Sequence, residues 1–412
     1  LRRFCEASLI ENTYMSWIAI KMLTGDRAKY LGIVAGITFS ALLIAQQASI
    51  ALGLLLRTTS HIQDIADVDI WVMDPNIQFI DELKPLTDND LYRVRGVPGV
   101  AWAVRFYKGQ GRLKLSVGGD KKKAKFQQSV VLGLDDATMV GAPREILLGS
   151  LADLRQPDAV IIDESGYHYL WPNQEMIVGR ELEMNDRRAV IVGVCKASDT
   201  FQTFPIFYCR YHQAIRYVPQ ERKVMSAILV GADKGVAPEE VCRRITEQTA
   251  VKPMKLGDPP RPGLKALTRD QFIESTLMYF VRRTGIVVNF GITVSLGFLV
   301  GCAIAGQTFY SFTLENLNQF GSLKAMGVTN LRIVGMVLVQ ALAAGLLGYG
   351  LGIGAAALFG KLMTSSGSRL AFFMPWQVLV GTAAAVGVII VLSSLVSVYK
   401  VLVLEPAAVF RG

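Results

Sequence analysis

The sequence predicts a membrane protein of four transmembrane α-helices with a mixed α/β extracytoplasmic domain inserted between helices 1 and 2. Three observations carry this expectation. Just over half of the 412 residues are apolar (51%) and the mean hydropathy is positive, which is high for a soluble fold. Four uncharged apolar segments, Leu31 to Leu56, Thr284 to Tyr310, Ile333 to Gly360 and Ala371 to Tyr399, each exceed the roughly 20 residues that cross a hydrocarbon core about 30 Å thick. The long stretch between the first two alternates strand-like runs with turn residues, the pattern of a folded domain rather than a disordered linker.

In chain order, residues 1–29 form a cytoplasmic N-terminal amphipathic segment. Ser16 to Lys29 mixes apolar Trp17, Ile18, Ile20, Met22 and Leu23 with Lys21, Asp26, Arg27 and Lys29. Two readings stand: a helix lying on the inner membrane surface, or a cytoplasmic extension of the first span. No cleaved leader is expected, because the first apolar run is too long for the core of one. Transmembrane helix 1 is placed at 30–56, helix 2 at 284–310, helix 3 at 333–360 and helix 4 at 371–399. At about 1.5 Å per residue these reach around 40 Å, so tilt or continuation beyond the membrane is expected. Arg2, Arg3, Lys21, Arg27 and Lys29 precede helix 1, Lys324 and Arg332 lie between helices 2 and 3, and Lys400 and Arg411 follow helix 4. Basic flanks stay inside, so the 311–332 connection and the 400–412 tail are expected in the cytoplasm and the 57–283 domain outside. Lys361 and Arg369 in the short outer loop, 361–370, are a mild conflict.

Within 57–283, Val97 to Phe106, then Gly109 and Gly111, then Arg112 to Val117 and Gly118-Gly119 read as a meander with a hairpin. Val160 to Asp163, Ala189 to Val194 and Ala227 to Val230 are further β-rich runs. Helices are expected at Pro238 to Gln248 and Arg269 to Arg283, opened by Pro238 and Thr268, with a proline-rich loop at Lys252 to Pro262.

The net charge of +9 forms no stripe with interleaved aromatics, so nucleic acid is not an expected partner, whereas the lipid bilayer is. Five cysteines without a CxxC pair and three histidines offer no zinc or iron–sulfur ligand set. Cys195 and Cys209 form a disulfide if the domain lies in an oxidising compartment, or remain two buried thiols. The spans carry no Asp, Glu, Lys, Arg or His, only amides such as Gln46, Gln47, Asn289, Gln307 and Gln340, which argues against ion-coupled transport. Gly354 to Lys361 (GAAALFGK) imitates a phosphate-binding loop, but the spacing is one residue too long, no Ser or Thr follows the lysine, and the run lies in an apolar span. No GxSxG, HExxH or Cys–His signal appears, so no catalytic and no metal residue is assigned. Asp163-Glu164 reads as a solvated turn. Lys121, Lys122, Lys123 and Lys125 suit an acidic partner, a lipid headgroup or plain solvation. Phe201, Phe204, Phe207, Tyr208 and Tyr211 suit a cargo surface or strand core.

Two patterns remain. Small residues recur four apart, as Gly32 and Gly36, Gly297 and Gly301, Gly348 and Gly352, and Gly350 and Gly354, spacing that lets helices pack closely or dimerise in lipid. Between helices 2 and 3, Leu314, Leu317, Phe320, Leu323 and Met326 recur at three-residue spacing, with Gly321 and Gly327 as breaks. A short helix with an apolar stripe needs a partner groove or a membrane surface to cover it.

The order of one span, a large domain and three more spans, with FGSLKAMG after helix 2, QALAAGLLGYGLG in helix 3 and LEPAAVFRG at Leu404 to Gly412, resembles the MacB/FtsX class (type VII) of ABC-transporter permeases. Within that class, QFGSLKAMG, VVLGLDD at Val130 to Asp136 and GSLADLRQPDAVIIDESGY at Gly149 to Tyr167 are most similar to DevC-type exporter permeases. The resemblance implies a homodimer in the bacterial inner membrane with both termini cytoplasmic. It also implies a separate cytoplasmic ABC ATPase that binds ATP and Mg, a periplasmic adaptor and an outer-membrane channel. It makes the chain a transport subunit that is not itself an enzyme, moving an amphiphilic or lipid-like substrate by mechanotransmission; an FtsX-like signalling transducer is the alternative. The coupling role falls to Leu314, Glu315, Leu317, Gln319, Phe320, Gly321, Leu323, Lys324, Met326 and Gly327. Relatives often carry Glu where this chain has Gln319 and Gln340.

Overall fold

A computed structural model describes residues 17–65, 67–82, 84–117, 120–218, 225–250, 263–365 and 369–402. The proline-rich loop, Gly118-Gly119 and the LEPAAVFRG ending lie outside the described residues, as do the side chains of Lys121 to Lys123. The chain divides into two compact units, Leu1–Leu54 with Gly285–Gly412, and Leu55–Thr284.

The first unit holds the four long apolar helices. Residues 17–25 form a short helix, followed by α1 (Arg27–Arg57). In chain order the inserted unit contributes helices α2 (Ser60–Asp64), α3 (Asp88–Arg95), α4 (Glu164–Leu170), α5 (Tyr211–Ala214), α6 (Pro238–Gln248) and α7 (Arg269–Arg283). The remaining helices of the first unit are α8 (Ile286–Glu315), α9 (Leu317–Ala325), α10 (Asn330–Ser365) and α11 (Trp376–Leu402). Helix α10 thus extends past residue 360, and α11 begins five residues after Ala371. Pro375 explains the late start: it holds the residue before it extended and has no N–H to donate. The 369–375 segment runs along α1 instead, with Phe373 N–H donating to Ser49 O at 3.1 Å.

Six of the predicted small residues meet neighbouring helices of the same chain. A Cβ on Gly297 would lie 3.2 Å from Leu43 and one on Gly36 2.5 Å from Ile304, while Gly32 approaches Thr308 and Gly301 approaches Ser40. Gly348 lies against Ile37, and Gly352 against Ala41 and the Thr38 carbonyl. Helix α1 therefore nests between α8 and α10 by glycine contacts. Gly350 and Gly354 point into open space.

The inserted unit is built on a ten-stranded sheet. Its strands are β1 (Ile70–Met73), β2 (Val100–Val117), β3 (Asp120–Leu134), β4 (Glu145–Leu148), β5 (Ala159–Asp163), β6 (Glu181–Met184), β7 (Arg187–Lys196), β8 (Ile206–Arg210), β9 (Ala227–Ala232) and β10 (Lys265–Thr268). They run in the order β10-β1-β9-β2-β3-β8-β5-β7-β4, with β6 bridging β2 and β7. Alternation along each strand feeds two cores: Ile70 and Val72 face one, Trp71 and Met73 the other. Both ends of the unit pack on the second face, where Ile62 of α2 and Phe272 of α7 join Trp71.

Gly109 and Gly111 do not interrupt β2, which continues through both. They are there for space: a Cβ at Gly111 would meet Met184 and Val131, and one at Gly109 would strike the Tyr107 ring. Cys195 and Cys209 are free thiols, buried in the opposite cores, so the sheet itself separates them. Phe207, Tyr208 and Tyr211 are buried, Phe204 packs on the second core, and Phe201 lies 5.2 Å from the Phe280 ring. The aromatic run is core rather than a cargo surface.

Candidate functional site

The connection between the second and third long helices is set by its two ends. Asn316 closes α8, its N–H and Nδ2 both donating to the Phe312 carbonyl at 3.2 and 2.8 Å. Helix α9 closes in a Schellman turn, with Gly327 at φ 92 and Val328 N–H donating to Leu323 O at 3.1 Å, a backbone shape that glycine takes without strain. Both glycine breaks were expected, but only Gly327 is one; Gly321 lies buried within α9.

The expected apolar stripe does not stay on one face. Residues spaced by three rotate about 60° per step on a helix of 3.6 residues per turn, and the break at Asn316 turns the row further. Phe320 is fully buried against Ile333 and Val337 of α10, with Met22 and Val328 beside it. That corrects the expectation that Phe320 enters a partner: it anchors α9 to its own chain. Leu317, Leu323 and Lys324 are half-buried, and Gln319 is exposed. Leu314 (39%), Met326 (73%) and Leu331 (85%) are the large apolar side chains left exposed here, and sequence reading missed Leu331 because it falls outside the three-residue row. Glu315 is ion-paired with Lys29, which also meets Asp26 at 3.1 Å.

In the inserted unit, Asp163 is a second node. It is 2% exposed, and its carboxylate accepts from Gly166 N at 2.7 Å and Ile206 N at 2.6 Å. A carboxylate capping the first turn of α4 satisfies donors that the helix leaves free, so the solvated-turn reading is overturned. Ser165 Oγ lies 2.8 Å from both Asp163 and Asp199, and Asp199 pairs with Arg57 at 2.9 Å. Within the inserted unit, Arg57 is thereby linked through two carboxylates to the start of β8. His61 of α2 is buried, and burial with Lys108 nearby holds its pKa well below the ordinary imidazole value. Arg269 Nη2 donates to Gln63 O at 2.7 Å, tying α7 to α2.

Four long apolar helices carrying a folded α/β insert define the architecture of a multi-pass membrane protein. Residues 31–248 match the MacB-like periplasmic core domain, which is more than half of the chain, and residues 291–406 match the FtsX-like permease C-terminal domain. The chain belongs to the MacB/FtsX family of ABC-transporter permeases. The periplasmic region of MacB from Actinobacillus actinomycetemcomitans is 14% identical over 52% of this chain and 94% of that one, with a TM-score of 0.37. The extracellular domain of the noncanonic ABC-type transporter YknZ from Gram-positive bacteria is 13% identical over 44% and 90%, with a TM-score of 0.32. At these scores neither likeness adds to the assignment, which rests on the two family matches. No curated protein matches the chain.

Proposed function

We propose that the chain is the permease subunit of an ATP-driven exporter, passing the motion of a separate cytoplasmic ABC ATPase through its spans to the inserted domain and so extruding an amphiphilic or lipid-like substrate. It works as a homodimer in the bacterial inner membrane, with both termini and the 311–332 connection cytoplasmic and the inserted domain periplasmic. ATP and Mg belong to the ATPase. A periplasmic adaptor and an outer-membrane channel complete the path, in line with the DevC-like segments at 130–136 and 149–167. The observation that carries this reading is α9. It is closed at its C-terminal end by the Gly327 turn, anchored from inside by Phe320, and flanked by exposed Leu314, Met326 and Leu331, the arrangement of a rigid lever offered to a partner groove.

Affinity purification of the tagged chain from its native membrane in mild detergent, with mass spectrometry of proteins and lipids, tests the reading. Recovery of an ATPase with an adaptor is expected. An ATPase with a cell-wall enzyme would support the FtsX-like transducer instead, and absence of any ATPase would refute both.

A further inference from the structure

Helix 17–25 is bound to the same structural node as α9, and by more than surface contact. Ala19 and Leu23 are fully buried. Leu23 joins the core formed by α1, α8, α10 and α11, while Met22 touches both that core and the Phe320 cluster. Gln340 of α10 makes a polar contact to this helix, its Nε2 donating to Ala19 O at 2.8 Å. Gln340 is itself fully buried, and its Oε1 has no partner among the described residues. This contact requires a hydrogen-bond donor, which the amide supplies at every pH. A carboxyl of the same shape can donate only while protonated, and once ionised it would set negative charge against a carbonyl oxygen.

We infer that Gln340 is a positioning residue, which seats helix 17–25 as a strut between α10 and α9 so that the strut and the coupling helix move as one body. The inference rests on the coupling role proposed for α9. Lys29 completes the brace: it follows the strut in sequence and pairs with Glu315 at the end of α8. On this account the strut fixes the angle of α9 by filling the space behind Phe320, and loss of its seat lets α9 swing without moving the spans.

Hydrogen exchange of the full chain in lipid nanodiscs, corrected at each pH for intrinsic amide rates, reads the seat directly. Gln340→Leu should raise exchange across 17–25 roughly fivefold at every pH, the loss of one net hydrogen bond. Gln340→Glu should follow the parent chain where its carboxyl is neutral and can donate, and rise towards the Leu variant as pH increases and the carboxyl ionises. A merely structural role predicts no such pH dependence, so identical, flat profiles for both variants would overturn the seat. With its ATPase bound, Gln340→Leu should lower the turnover of ATP severalfold while leaving the KM for ATP unchanged. Raised exchange with unaltered turnover would overturn the strut but leave the coupling role of α9 standing, whereas failure of the parent chain to bind any ATPase would overturn both.

Discussion

Phe320 lies within α9 and Met326 caps its C-terminal end, and the two answer different questions when substituted. Phe320 fills an internal cluster with Ile333 and Val337, so Phe320→Ala should cost about 3 kcal/mol of local stability by leaving a cavity, seen as faster hydrogen exchange in α9 and the start of α10. Met326 is 73% exposed, so Met326→Asp should leave exchange unchanged yet abolish co-purification of an ATPase, because a buried interface would have to take in an unpaired charge. If Met326→Asp retains the ATPase at parental levels, the exposed face of α9 is not the contact. His61 belongs to the same scale. Its folded pKa lies below its ordinary value of 6.5 because burial disfavours the charged form. The unfolded chain therefore binds the extra proton, and stability is fully present above about 6.5 and lost as pH falls below it. The unfolding midpoint should drop on acidification, and His61→Gln should flatten that slope; an unchanged slope would remove His61 as its source.

At the scale of elements, Asp163 joins two that are distant in sequence, the first turn of α4 and the start of β8. Asp163→Ala would strand two buried N–H groups, at roughly 1 to 3 kcal/mol each, and should lower the denaturation midpoint of the inserted unit well beyond a surface Asp→Ala control. Such joints explain what the sequence made legible and what it did not. Helices α6 and α7 were readable from Pro238 at the first helical position and from Thr268, whose hydroxyl accepts Gln271 N–H in a capping box, because those signals are local. The path of β2 through Gly109 and Gly111 was not, since the glycines answer to Met184, Val131 and Tyr107, contacts that exist only once the sheet is assembled. The burial of Asp163 was hidden for the same reason: one of its partners lies 43 positions away. On α9 the three-residue row was visible, but the turn at Asn316 and the pull of Ile333 and Val337 on Phe320 were not.

Across the whole chain, the apolar runs and their order were plain from composition, while the strand order depends on pairings such as β3 with β8 and β2 with β9 that no short pattern encodes. The antiparallel pairing of β1 with β10 brings the two ends of the inserted unit together: Ile62 of α2 and Phe272 of α7 share a core with Trp71, whose ring lies 5.5 Å from those of both Phe106 and Phe272. Both hydrophobic layers are complete within Leu55–Thr284, so a soluble fragment spanning 57–283 should fold alone and unfold in one cooperative transition by calorimetry. Within it, Phe272→Ala should cost about 3 to 5 kcal/mol and raise exchange in α2 and α7 together, while α6, which packs on the opposite core through Val241 and Ile245, changes less. That outcome would mark the paired ends as a local cooperative unit, the property needed for a push at one end to reach the sheet without unfolding it. An equal rise in α6 would show instead that the ends melt only with the whole domain, and a motion delivered there would then have to move the unit as a rigid body.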